Sequence, residues 1–115
     1  MATGSVKGNY IQTGTFTASG VYSSFINTVY TNALYTLGKL NVLCLALEFK
    51  AHAATDSWQE IGTLPNTSTI SVGMTVISNQ SKAKQVRING NKLYVNLVSA
   101  STSEEVISLQ ILYFV

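Results

Sequence analysis

Charge is what this chain has least of. Asp, Glu, Lys and Arg together make up 10% of its 115 residues, whereas a soluble globular domain carries about 25%. So sparse a charged surface predicts that part of it is covered by something, and homo-oligomerisation is the simplest cover. The seven basic and five acidic residues leave a net charge of +2. The basic ones are scattered and never form the aromatic-interleaved stripe that follows a nucleic-acid backbone, so nucleic acid is not an expected partner. Cysteine occurs once, at Cys44, which excludes a disulfide within the chain. Its apolar neighbours predict an inert buried thiol. One His and one Cys cannot build a zinc site, and the sequence has no Gly-rich phosphate loop. No metal and no cofactor are expected.

Long apolar runs are missing as well. The longest covers residues 40–47 and is interrupted by Asn41, well short of the ~20 residues of a helical membrane span. The start, Met1-Ala2-Thr3-Gly4-Ser5, leads into Val6-Lys7-Gly8-Asn9 with no apolar block of the secretion-signal kind. Residues 1–9 therefore read as a linker or an expression scar. Residues 10–115 read as a single domain, large enough to bury its own core.

What is present favours strands. Hydrophobic residues make up 46% of the chain, and they sit among Ser, Thr, Asn and Gly, a mixture suited to strands and turns. Alternation predicts a first strand over residues 10–17, ended by Ser19-Gly20. Residues 21–32 are ambiguous. Tyr22, Phe25, Ile26, Val29 and Tyr30 fall on a helical stripe, but their Ser, Thr, Asn and β-branched neighbours favour strand or irregular structure, with one short helix left open. Residues 33–37 form a strand that Gly38-Lys39 turns into residues 40–50. There Leu43, Leu45, Leu47 and Phe49 make one apolar face, and Leu40, Val42, Cys44 and Ala46 make a second. Such a strand needs cover on both sides, the sandwich core on one and a neighbouring subunit on the other.

Downstream, Ile70, Val72, Met74 and Val76 share one face of a half-buried strand. Asn89-Gly90-Asn91, between residues 86–88 and 93–98, is the strongest hairpin signal. The last strand covers residues 106–115. The total is about eight strands with sandwich-like turn spacing, an all-β, antiparallel, jelly-roll-like β-sandwich. Its organising stretch is Ser57-Trp58-Gln59-Glu60-Ile61-Gly62-Thr63-Leu64-Pro65, which joins the only Trp to the only Pro. It reads as a short strand running into a corner where Trp58 and Ile61 bury apolar area.

Catalysis finds little support. No Gly-x-Ser-x-Gly elbow accompanies His52 and Asp56. Asp56 and Glu60 read as two separate exposed acids rather than a glycosidase pair. Binding is better served. His52, Asp56 and Trp58 lie within seven residues, and Arg87 approaches from another strand. Saccharide and polyol sites combine an aromatic face with carboxylate, imidazole or guanidinium groups in this way. Against that stand Trp58 as a core anchor and His52 and Asp56 as plain solvated loop residues.

Tyr35-Thr36-Leu37-Gly38-Lys39-Leu40-Asn41-Val42, then Trp58-Gln59-Glu60-Ile61-Gly62-Thr63-Leu64-Pro65, then Val86-Arg87-Ile88-Asn89-Gly90-Asn91-Lys92-Leu93-Tyr94-Val95, then residues 109–114, occur in an order that resembles the C-terminal head domains of phage tail-fibre and baseplate receptor-binding proteins of Gram-positive phages. The resemblance spans roughly residues 30–115. It implies a non-catalytic trimer of β-sandwich heads at a phage tail tip, acting outside the host cell. Such heads sit among other virion tail proteins and bind saccharide or glycerol-phosphate polymer of the host wall. It also implies roles for His52 as a hydrogen-bonding group, Asp56 as a hydroxyl acceptor, Trp58 as a stacking surface and Arg87 as an anion or hydroxyl donor. Family members often follow the Pro with a Gly-Tyr-Arg-Pro-like turn, whereas Asn66-Thr67-Ser68-Thr69 follows here. That departure leaves open a structural baseplate or tail-fibre domain without ligand. A carbohydrate-binding module of a wall-degrading enzyme is a third alternative.

Overall fold

A computed structural model describes residues 11–115. The expected linker at residues 1–9 lies outside them. The described residues form an antiparallel β-sandwich of nine strands. In sequence order these are β1 (Ile11–Gly14), β2 (Thr17–Ala18), β3 (Ile26–Leu37), β4 (Leu40–Phe49), β5 (Gln59–Thr63), β6 (Val72–Ile77), β7 (Ala83–Asn89), β8 (Lys92–Asn96) and β9 (Glu105–Phe114). One sheet has the order β1-β3-β4-β9 and the other β2-β5-β8-β7-β6. The pairs β4 with β9, β5 with β8 and β6 with β7 nest inside one another, as in a long antiparallel ribbon rolled over two layers. This is the jelly-roll-like arrangement that the alternation predicts. Among the described residues no helix is long and apolar enough to cross a membrane.

The core lies between the sheets. Leu43, Leu45, Leu47 and Phe49 of β4 and Ile107, Leu109, Ile111 and Tyr113 of β9 meet Val86 and Ile88 of β7 and Leu93 and Val95 of β8, all buried. Each set keeps strict period-2 spacing, so register alone decides which residues leave water. Two tight hairpins hold that register. Gly38, between paired Leu37 and Leu40, and Gly90, between paired Asn89 and Lys92, each take positive φ at the first central position of a two-residue turn.

Three stretches differ from their sequence reading. The first strand is two: β1 pairs with β3, the chain then changes sheets, and β2 pairs with β5. Phe16, buried at the crossing, is pinned by Asn32, whose side chain bonds both its N–H and its carbonyl oxygen at 2.9 Å. The ambiguous residues 21–32 divide as well, with Val21–Phe25 in a 3-10 helix and the rest inside the long strand β3. Within residues 57–65 the corner is milder than Gly62 suggests. Strand β5 continues through Gly62 to Thr63 with a register shift between Glu60 and Gly62. Gly62 is there for space, because a Cβ on it would stand 2.4 Å from the Phe16 ring.

The second face of β4 also has a definite place. Across the sheet, Leu37, Leu40 and Phe114 form one rank, Tyr35, Val42 and Leu112 the next, then Ala33, Cys44 and Gln110, then Thr31, Ala46 and Ser108. None of the twelve side chains is charged. Cys44 is free and half-buried on this outer face rather than sealed in the core. Phe114 and Leu112 are 54% and 52% exposed.

Candidate functional site

Strand β8 alternates Leu93 and Val95 inward with Lys92, Tyr94 and Asn96 outward, and β7 sends Val86 and Ile88 inward with Gln85 and Arg87 outward. The hairpin register sets Arg87 directly beside Tyr94. On the other side of β8, Trp58 enters just before β5. These constraints build a stack on the outer face of the five-stranded sheet. The Arg87 guanidinium carbon lies 4.6 Å from the centre of the Trp58 ring and 5.5 Å from that of Tyr94. Each aromatic contact on a cation is worth about 0.5–1 kcal/mol at an exposed site, so two rings hold the guanidinium plane in place.

Next to the stack is an open groove of about 240 Å³ lined by Trp58, Gly73, Met74, Thr75 and Gln85. Gly73 pairs with Arg87 across the strands, and its missing side chain leaves the groove floor low at this point. The Arg87 Nε is buried with no hydrogen-bond partner, and among the described residues no carboxylate forms an ion pair with Arg87. A planar cation with unused donors, held by aromatic rings beside a shallow groove of mixed polar and apolar lining, suits an oxygen-rich ligand with a ring or chain to lay against Trp58.

The same face continues to the sheet edge. Ser19 Oγ donates to Glu60 Oε2 at 2.7 Å and lies 2.7 Å from Thr63 Oγ1, and Lys92 Nζ donates to Glu60 Oε2 at 3.4 Å and to Thr63 Oγ1 at 3.1 Å. The Ser19 hydrogen bond, with help from Lys92 and against some desolvation, holds the Glu60 carboxyl below the usual range. Glu60 pairs with Tyr94 across the strands, so this ionised patch borders the aromatic stack.

Of the four residues expected from the sequence, Trp58 and Arg87 come together. Trp58 stays half-buried on the outer face and takes no part in the core. Asp56 is exposed in the loop just before it. That loop is fixed by Thr55, whose N–H donates to the Leu97 carbonyl at 2.9 Å and whose Oγ1 accepts from the Leu97 N–H at 2.8 Å. His52 goes elsewhere. It bridges to Ser101 through two main-chain bonds of 2.9 Å, and its side chain is fully buried against Glu105 and Lys84. The hydrogen-bonding role on a ligand that the resemblance implies for His52 meets a ring enclosed between the sheets.

Tyr94 and Gly73 escape a reading by motif, yet the hairpin announces Tyr94. Counting outward from the turn places it opposite Arg87 on the polar face. The buried charges were also legible: Lys84 keeps phase with Val86 and Ile88, and Glu105 with Ile107 and Leu109, so both fall on the inward register. Among the described residues there is no group of three or more His, Cys, Asp or Glu placed to hold a metal ion. No family model, no curated protein and no solved structure matches this chain.

Proposed function

We propose that this domain is a non-catalytic phage receptor-binding head. It recognises host-wall carbohydrate or glycerol-phosphate polymer through the outer face of its five-stranded sheet. The observation that carries the reading is Arg87, stacked on Trp58 and Tyr94 without an acidic partner and bordering an open groove. In this reading Trp58 receives the apolar C–H face of a sugar or polyol, Arg87 bonds its phosphate, carboxylate or hydroxyl oxygens, and Asp56 at the rim accepts a hydroxyl. The heads work as homotrimers at the tail tip, outside the host cell, with the four uncharged ranks on the outer face of β3, β4 and β9 turned toward neighbouring copies.

A purified wall polymer and a glycan array test the binding claim. Arg87→Gln removes charge-assisted hydrogen bonds worth about 1.5–3 kcal/mol, so affinity should fall at least about tenfold. Trp58→Ala should abolish retention on walls, with circular dichroism and the melting temperature reporting whether the fold survives. Wild-type protein that binds no wall polymer and no glycan contradicts the reading. That result, together with a trimer in solution, would instead favour a structural baseplate or tail-fibre domain, the second reading supported by the uncharged face around Val42 and Leu112. A hydrolase domain in the same reading frame would place the domain as a carbohydrate-binding module of a wall-degrading enzyme.

A further inference from the structure

A second cluster lies inside the sandwich, separate from the groove. Lys84 and Glu105 are each 1% exposed, and they come from different sheets, Lys84 from β7 and Glu105 from the first position of β9. Lys84 Nζ is 2.9 Å from Glu105 Oε1. The same nitrogen donates to the Ser99 carbonyl oxygen and, at 2.9 Å, to Ser99 Oγ, and it lies 3.3 Å from His52 Nε2. An ammonium has three protons, and here four acceptors surround it. Glu105 Oε1 is the one left without a directed hydrogen bond.

The other groups are fixed around this pair. Glu105 Oε2 accepts from Ser78 Oγ. His52 Nδ1 is 2.8 Å from the Lys50 carbonyl oxygen, which only accepts, so Nδ1 carries the ring proton. Nε2 therefore presents its lone pair to the pair, 3.5 Å from Oε1. An amine, a carboxyl group, a proton carrier and a hydrogen-bond donor to the carboxyl oxygen meet in a volume closed to water.

We infer that Lys84 and Glu105 form an intramolecular amide bond that fastens β7 of one sheet to β9 of the other. Both charges are held out of water, and losing hydration is costly for each ion. Passing one proton from the ammonium to Oε1 gives a neutral amine and a carboxylic acid, and condensation removes both charges for good. The Lys84 Nζ lone pair bonds to Glu105 Cδ. The excess proton on nitrogen moves to His52 Nε2, and Ser78 Oγ supports the negative charge gathered on Oε2. His52 then returns its proton to the Oε1 hydroxyl, the Cδ–Oε1 bond breaks, and water leaves as the carbonyl re-forms on Oε2. One N–C bond is made, one C–O bond is broken, one water is released, and no oxidant or cofactor is needed. Fixed proximity of this kind replaces the activation that amide formation needs in solution.

The test is mass spectrometry of the folded protein. Its intact mass should be lower than the sequence mass by one water. After tryptic digestion the acylated Lys84 resists cleavage, so the peptide of residues 83–87 should appear joined to that of residues 93–115. Protein recovered unfolded from inclusion bodies and kept in denaturant should retain full mass and then lose one water on refolding. Lys84→Met and Glu105→Ala should both keep full mass. His52→Gln should slow the loss of water about a hundredfold, the size of a lost general acid–base group, while a merely structural histidine would leave that rate unchanged. Folded wild-type protein that stays at full mass with separable peptides after prolonged incubation overturns the inference without touching the ligand face.

Discussion

The Tyr113 hydroxyl is held inside the sandwich and donates to Asn66 Oδ1 at 2.6 Å. Burial pushes the phenol up to about 12 from its ordinary value of 10.0. The folded chain thus keeps a proton that the unfolded chain gives up first. Its contribution is fully present below pH 10 and is lost as the pH climbs from there toward 12. Urea midpoints measured across that interval should fall for the wild type. Tyr113→Phe should flatten part of this slope, while starting about 1–3 kcal/mol less stable at neutral pH because Asn66 loses its donor. The same scale explains what was readable at the site. A side chain's inward or outward sense follows from its parity in a strand, which is why Arg87, Tyr94, Lys84 and Glu105 are placed by counting. His52 is in a loop, where parity has no meaning, and only its bridge to Ser101 puts it inside.

At the scale of elements, β4 and β9 were clear because their apolar residues repeat every second position without a break. The change of sheet between β1 and β2 was not, since it depends on Asn32 holding Phe16 from sixteen positions away, and no local pattern records that. Residues 21–32 hid two elements behind one stripe. The stacked Tyr22 and Phe25 rings, with centroids 4.3 Å apart, belong to the 3-10 helix, whereas Val29 and Tyr30 belong to β3. The hairpins were the best local signal, and their glycines yield a clean measurement. A Cβ on Gly90 would meet nothing within 4 Å, so Gly90→Ala adds no clash and its whole effect is the left-handed backbone at φ 64°. Denaturant titration should give a loss of about 1–2 kcal/mol, with the Arg87 and Tyr94 pairing intact.

For the whole molecule the deciding fact is how its few charges are distributed. Glu60, Arg87 and Lys92 stand on the outer face of the five-stranded sheet and Lys84 and Glu105 in the buried cluster, while four ranks of side chains on the other sheet carry none and Glu48, in the next rank, bounds that uncharged area. Ranks with no charge meet their own copy without like-charge repulsion, and Leu37, Leu112 and Phe114, all around half exposed, supply apolar area to bury at about 25 cal/mol per Å². Three heads joined there would leave Trp58 and Arg87 pointing outward, free to engage a polymer at several points at once, which multiplies weak contacts into retention. Multi-angle light scattering at micromolar protein should therefore give three times the mass of one chain. Leu112→Lys and Phe114→Lys insert a charge among neutral neighbours on the outer side of β9, where the core is untouched. Each should yield a folded single chain that still binds the isolated ligand unit but is washed off intact walls. A wild-type protein that is a single chain at these concentrations, with unaltered retention in both variants, would show that this face does not assemble the heads.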